Sequence, residues 1–326
     1  MHLNIVVGEA TLRVWTVVAL AVALLTSGCA AQTVTADRAP IAERTLQVTT
    51  TTTMITDAVR RIGGDRVQVT GLMGPGVDPH LFKASARDVR TFRNADVVFY
   101  GGLGLEGKMG DLLAQLAARQ PTTAVTDGIP REALLTHAGS PEPDPHIWFD
   151  VALWEDCVRT IAERLEGLDP THAAVYRANL ADYLAELTAL DGEVRARIAA
   201  IPADRRLLVT SHDAFAYFGR RYGIEVAAIQ GISTAAEATT ADVERVAALL
   251  AERRVPAAFI ETSVPRQTVD ALLAATAQRG FTTRVGGELY TDSGGAEGTP
   301  EGTYVGMVRA NAEMIASALG AVAQER

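Results

Sequence analysis

The chain has 326 residues, of which 48% are hydrophobic and 21% charged, with 39 acidic against 30 basic residues and a net charge of −9. Such a composition belongs to a folded globular chain with room for two domains, not to a disordered one. The acidic balance excludes a nucleic-acid binder, which needs a basic face, and is compatible with a cationic ligand.

The N-terminal segment differs from the rest. "VWTVVALAVALLTSGC", residues 14–29, opens with an apolar run too short to span a bilayer and closes on small residues, the pattern of an export signal. Its ending, "LLTSGC", reads as a lipobox in which Cys29 is lipidated, although Thr26 stands where such motifs prefer leucine. Residues 1–29 are therefore expected to be a signal peptide and the polar, aperiodic residues 30–44 a flexible tether. The only other cysteine, Cys157, lies in the amphipathic "ALWEDCVRTIAERL" and is expected to be a small core residue with no disulfide partner.

Beyond the tether, β-branched runs alternate with helical spacing. "TLQVTTTT", "RVQVTGLMG", "ADVVFYGG" and "TTAVTDGI" read as strands, separated by the helical "MITDAVRRIGG", "SARDVRTFRN" and "LEGKMGDLLAQLAAR". The alternation resumes with "RLLVTSHD", "EVAAIQGI", "PAAFIETS" and "TTRVGGELY", with helices over 213–222, 240–253, 266–278 and 302–319. Alternating strands and helices imply an α/β fold of two lobes, each with an approximately four-stranded parallel sheet flanked by helices. Residues 169–201 separate the two sets and hold no proline after Pro170 and no glycine except Gly192. They predict one long linker helix, N-capped by Asp169, about 45 Å in length. The lobes are then 45–168 and 202–326, and a helical link between them makes a poor hinge.

The six histidines are unevenly placed. "GVDPHLFKA" and "EPDPHIWFD" both put an imidazole directly behind Asp-Pro, at His80 and His146, where proline stiffens the loop and can aim the ring. His212, in "VTSHDAF", and Asp292, in "GGELYTDSGG", each follow a predicted strand of the second lobe. All four fall at the carboxyl ends of parallel strands, two from each lobe, where open α/β sheets bind ligands. Three imidazoles and a carboxylate suit zinc, or manganese, which favours more oxygen. The separations of 66, 66 and 80 residues leave no local signature. Each residue alone also reads as an ordinary hydrogen-bonded loop histidine or a turn aspartate, so spacing leaves the metal site open.

Four segments carry more: "GVDPHLFKASARDVRTFRNADVVFYGGLGLEGKM", "DPHIWFDVALWEDCV", "SHDAFAYFGRRYGIEVAAIQGISTAAEATTADV" and "ELYTDSGG". Together they resemble the zinc- and manganese-binding lipoproteins of bacterial ABC importers, the TroA-like and ZnuA-like solute-binding family. The resemblance covers nearly all of the chain after the tether, in the family's order. It implies His80, His146, His212 and Asp292 as the metal ligands, Zn2+ (alternatively Mn2+) as the bound ion, and two α/β lobes joined by a long helix. It also implies a monomer that serves a membrane permease while lipid-anchored on the outer face of the cytoplasmic membrane. His212 stands where some manganese-specific relatives carry glutamate and so resembles the zinc-binding and mixed-specificity branches. The chain departs from the family at Gly101, where asparagine is frequent, and at Gly294, where leucine is. The loop 135–144 offers only His137, Glu142 and Asp144 in place of the His- and acid-rich insertion of zinc importers, and reads as a solvated surface loop, with a vestigial accessory metal site as the alternative. His172 is expected to face solvent in the first turn of the linker helix.

Two other classes compete. A zinc-dependent hydrolase has the metal donors, but no general base is placed beside a ligand as in His-Glu-x-x-His, and four protein donors leave little room for substrate. A surface adhesin with a structural metal is a role assigned to some relatives, and no host-binding motif supports it here. If neutral imidazoles bind the ion, affinity should fall below about pH 6.5.

Overall fold

The computed structural model describes residues 39–136 and 142–320. The signal-peptide and Cys29 expectations, most of the tether, and His137 lie outside the described residues. Residues 41–44, expected within the tether, are instead bonded to the first lobe, although Ala42 and Glu43 stay exposed. Ile41–Glu43 forms a 3-10 turn, and the Arg66 guanidinium donates to the Ile41 and Arg44 carbonyls.

Four parallel strands, β1 (Leu46–Thr50), β2 (Val67–Gly71), β3 (Val97–Tyr100) and β4 (Thr122–Ala124), form one sheet in the order β2-β1-β3-β4. The central strand β1 is buried on both faces, as expected where helices cover each side of a parallel sheet. The crossover helices are α1 (Thr53–Gly63), α2 (Ala86–Asn94) and α3 (Gly110–Ala117), and helix α4 (Val151–Leu168) follows. Helix α2 begins with a capping box between Ser85 and Asp88, which satisfies two otherwise unpaired amides.

The second lobe keeps the expected alternation but pairs its strands differently. Strand β5 (Leu207–Thr210) pairs in parallel with β6 (Glu225–Ala228), and β7 (Ala257–Glu261) with β8 (Arg284–Leu289). These are two two-stranded ladders, with β5 lying beside β7, where one four-stranded sheet was expected. A register shift at Ala258/Phe259 interrupts the β7–β8 ladder opposite Gly286 and Gly287. Helices α6 (Ala216–Tyr222), α7 (Thr240–Arg253), α8 (Gln267–Gln278) and α9 (Tyr304–Gly320) complete the lobe.

Between the two strand sets runs helix α5 (Ala173–Ala199), 27 residues and about 40 Å long, preceded by a 3-10 turn at Pro170–His172. It packs on α1, α4 and α9, so elements of both lobes rest on it. Asp169 does not cap this helix through its side chain. Its buried carboxylate instead accepts from the His172 ring, the Tyr176 hydroxyl and Arg66. His172 is thereby paired and only partly exposed, not free in solvent.

One apolar cluster joins the two lobes. Phe149 stacks on Phe215 with ring centroids 4.2 Å apart, and Trp154 stacks on Tyr304 at 4.8 Å. Cys157 is fully buried in that cluster, as its helical position predicts. Among the described residues no helix is long and apolar enough to cross a membrane.

Candidate metal centre

The four residues singled out from the sequence converge. His80, His146, His212 and Asp292 each present one donor atom, all within 4.8 Å of one another, and all four side chains are buried. His80 comes from the loop after β2, His146 from the loop after β4, His212 directly follows β5, and Asp292 follows β8. Each strand thus delivers its residue at its carboxyl end, and the sheet edges of the two lobes face a common point.

Three of the donors, on His146, His212 and Asp292, stand at the spacing of a tetrahedral face, with His80 next to His146. His146 Nε2 lies 3.3 Å from His80 Nε2 and 3.4 Å from His212 Nε2. Asp292 Oδ1 lies 3.5 Å from both His146 Nε2 and His212 Nε2. Four ligands at about 2.0–2.1 Å from a tetrahedral zinc stand about 3.3–3.4 Å apart along each edge. Asp292 has a further distinguishing feature: its Oδ2 accepts from Ser263 Oγ at 2.9 Å, whereas its buried Oδ1 has no hydrogen-bond partner. A buried carboxylate oxygen without a donor is costly unless something else satisfies it.

The rings of His146 and His212 are held from behind, and His80 is held through its backbone amide. The two Asp-Pro-His tripeptides share one local device, in which the aspartate accepts from the histidine amide two residues on: Asp78 from His80 at 2.8 Å and Asp144 from His146 at 3.0 Å. Their second bonds differ. Asp144 Oδ1 also accepts from His146 Nδ1 at 2.7 Å, turning Nε2 toward the centre, while Asp78 Oδ2 accepts from Thr234 Oγ1 in the other lobe at 2.5 Å. In the second lobe, Glu261 at the end of β7 accepts both the His212 amide, at 2.9 Å, and His212 Nδ1. Trp148 walls the site, its ring 5.2 Å edge-on from His146 and its Nε1 donating to the Thr291 carbonyl.

These partners set the protonation of the metal-free site. Burial, reinforced by the neighbouring His146, lowers His80 to about 4, so its ring is neutral. Burial opposes charge on His146 too, but Asp144 and Asp292 outweigh it and lift His146 to about 9. His212 is likewise held well above its ordinary value, against burial, by Glu261 and Asp292. Burial works against ionising Asp292, yet His212 and His146 hold its carboxyl well below the usual range.

Asp144 and Glu261 were not identified from sequence as partners of the ligands. Asp144 was read as part of a solvated loop; it is fully buried, with its amide bonded to the Leu135 carbonyl beside a Thr136–Pro143 bridge that closes the loop's neck. The repeated Asp-Pro-His was the available signal for it. Glu142, from the same loop, is exposed. At Gly101 and Gly294 a side chain would crowd its neighbours. A Cβ at Gly101 would stand 2.6 Å from Leu105 Cδ2, and one at Gly294 would stand 2.9 Å from the Glu301 carbonyl.

Known proteins resemble this chain over most of its length. A family model described as "ZnuA: Zinc-uptake complex component A periplasmic" matches residues 48–318. The manganese-binding lipoprotein MntA of Bacillus subtilis (strain 168) is 44% identical over 278 residues, 85% of this chain and 91% of its own. The zinc-binding protein TroA of Treponema pallidum (strain Nichols) is 46% identical over 272 residues, 83% of this chain and 88% of its own. The solved structure of the periplasmic zinc-binding protein TroA from Treponema pallidum superposes with a TM-score of 0.83, covering 85% of this chain and all of that one.

Proposed function

This chain belongs to the ZnuA family of periplasmic zinc-uptake components, and we propose that it is the extracytoplasmic substrate-binding component of a metal ABC importer. In that role it captures one divalent transition-metal ion between its lobes and delivers it to a membrane permease. His80, His146, His212 and Asp292 are the ligands. The observation that carries this reading is the buried Asp292 Oδ1, which makes no hydrogen bond and stands 3.5 Å from both His146 Nε2 and His212 Nε2. Asp144 and Glu261 fix the tautomers of their histidines, and with Asp292 they place three carboxyl groups around a doubly charged ion.

Zinc is the first choice of cargo and manganese the second. Ser263 occupies Asp292 Oδ2, which leaves one carboxylate oxygen and three nitrogens, a four-coordinate set that suits zinc better than an oxygen-seeking manganese. The relatives include proteins named for each metal. Because affinity order favours zinc over manganese at almost any nitrogen site, tight binding alone does not identify the transported ion.

Export and lipidation at Cys29 accord with the apolar N-terminal run and with relatives named as lipoproteins. The chain acts as a monomer, with lobes bounded near residues 45–168 and 202–326 about the linker helix. It is a binding protein and not an enzyme, as its relatives are metal-binding proteins of uptake systems. The deciding experiment measures cellular zinc and manganese in a deletion strain grown under limitation of each metal. Loss of zinc accumulation supports the reading, loss of manganese alone moves the cargo to manganese, and unchanged levels of both overturn it.

A further inference from the structure

All four donor side chains are closed to solvent: His146 and His212 are 0% exposed, Asp292 1% and His80 4%. An ion held among them cannot leave without breaking contacts between the lobes, and those contacts differ on the two sides of the site. On the side of His146 they combine the Phe149–Phe215 and Trp154–Tyr304 stacks with buried hydrogen bonds, from Trp148 Nε1 to the Thr291 carbonyl, from the Tyr217 hydroxyl to the Asp144 carbonyl and from the Tyr304 hydroxyl to the Trp148 carbonyl. Opening there exposes apolar area to water. On the side of His80 they are hydrogen bonds made by the loop 74–81 and its neighbour Thr53. Two crevices flank this loop. One, of about 410 Å³, is lined by Thr53, Gly74, Pro75 and Gly295 among others, and one of about 450 Å³ by Asp78, Leu81, Thr234 and Ser263 among others. Polar contacts beside water-accessible crevices are replaced by water at small net cost.

We infer that Thr53, Asp78, Thr234 and Ser293 form a hydrogen-bonded latch that holds the His80 loop to the second lobe and sets how long the ion is retained. The inference rests on the metal-site reading above and concerns positioning, since none of the four is a ligand. Three bonds make the latch. Thr234 Oγ1 donates to Asp78 Oδ2 at 2.5 Å, and the other oxygen of Asp78 accepts the His80 amide. Ser293 Oγ accepts the Gly76 amide at 2.8 Å. Thr53 Oγ1 accepts the Gly294 amide at 2.7 Å. Ser293 and Gly294 directly follow the ligand Asp292, so the loop that carries the fourth ligand is pinned to the loop that carries the first. Gly76 reaches its partner with a φ of +72°, in the left-handed region where a side chain is strained. The loops that carry His80 and Asp292 are therefore each tied to the opposite lobe by a bond that the ion itself does not make.

The test uses Thr234→Val and Ser293→Ala, with Thr234→Ser as the variant that keeps the hydroxyl. Zinc release into excess chelator is followed by stopped flow, cobalt-loaded protein is examined by visible absorption, and metal-free protein by thermal unfolding. Release should accelerate about five-fold in each of Thr234→Val and Ser293→Ala, the equivalent of roughly 1 kcal/mol for one neutral hydrogen bond, and further in the double variant. Thr234→Ser should release at the wild-type rate. The cobalt spectrum should not change, and the metal-free melting temperature should fall by no more than the few degrees that one hydrogen bond is worth. Release at the wild-type rate from both hydroxyl-deleted variants overturns the latch, as does equal acceleration in Thr234→Ser or an altered cobalt spectrum. If wild-type protein itself retains no zinc, the metal-site reading fails instead, so the two failures are distinct.

Discussion

Asp144 Oδ1 lies 2.7 Å from His146 Nδ1, two residues along the same Asp-Pro-His tripeptide, with both side chains wholly out of solvent. The carboxylate fixes the ring so that Nε2 faces the donor cluster, the part outer partners play for metal-ligating histidines in general. Asp144→Asn should therefore lower zinc affinity about 10- to 100-fold while leaving all four ligands in place. Chelator competition measures it, and an unchanged affinity would remove Asp144 from the site's working parts.

Metal binding should release protons well above the ordinary histidine range. His146, lifted to about 9, and His212, held high by Glu261 and Asp292, both carry protons at neutral pH in the metal-free site, whereas His80 does not. Zinc must displace those protons to reach the two Nε2 atoms, so about two should be released per ion at pH 7. Affinity should keep rising with pH toward about 9 instead of levelling above 6.5, the threshold expected from an unperturbed imidazole. Calorimetry in buffers of different ionisation enthalpy counts the protons, and a count of zero would contradict the protonation described here.

The same groups give the metal-free protein a distinctive pH dependence. His146 has its pKa raised on folding, so its contribution is complete below the unfolded value of about 6.5 and is lost as pH rises through about 9. His212 acts in the same direction. Asp292, depressed, contributes above the usual carboxylate range and loses that contribution only in acid. His80, lowered to about 4, contributes above 6.5 and loses it as pH falls toward 4. Between pH 6.5 and 9 only the first two change, so thermal stability of metal-free protein should decline across that window. Zinc-loaded protein, already deprotonated there, should not show the decline, and parallel melting curves for the two forms would contradict this.

On the proposed capture between the lobes, removing the metal should cost stability. At a free concentration of about 1,000 times Kd, ligand binding adds roughly 4 kcal/mol, on the order of 10 °C in melting temperature for a chain of this size. Differential scanning fluorimetry with and without chelator checks it. A melting temperature unmoved by zinc would mean that no ion binds the folded form.

Much of this is legible in the sequence, for physical reasons that differ by feature. Strand and helix alternation is a local pattern, so β1 to β8 and their helices fall where periodicity puts them. The pairing of β5 with β6 and of β7 with β8, without one shared ladder, is not local and left no trace in the sequence. The four candidate ligands were visible as residues at strand ends, but their convergence depends on tertiary structure, and the resemblance to a family supplied what spacing could not. Asp144 was legible in principle, because the tripeptide repeats around His80 and His146. Glu261 was not, since it lies 49 residues from His212 and looks like the ordinary end of a strand. Asp169 satisfied the composition of a helix cap, yet Arg66, His172 and Tyr176 outcompete the backbone amides for its carboxylate.

The most direct measurement is anomalous diffraction at the zinc absorption edge from crystals of the zinc-loaded protein. The expected map holds one strong peak, about 2.0–2.2 Å from the Nε2 atoms of His80, His146 and His212 and from Asp292 Oδ1. A peak bound elsewhere, or one in contact with the donors of a single lobe, would contradict capture between the lobes.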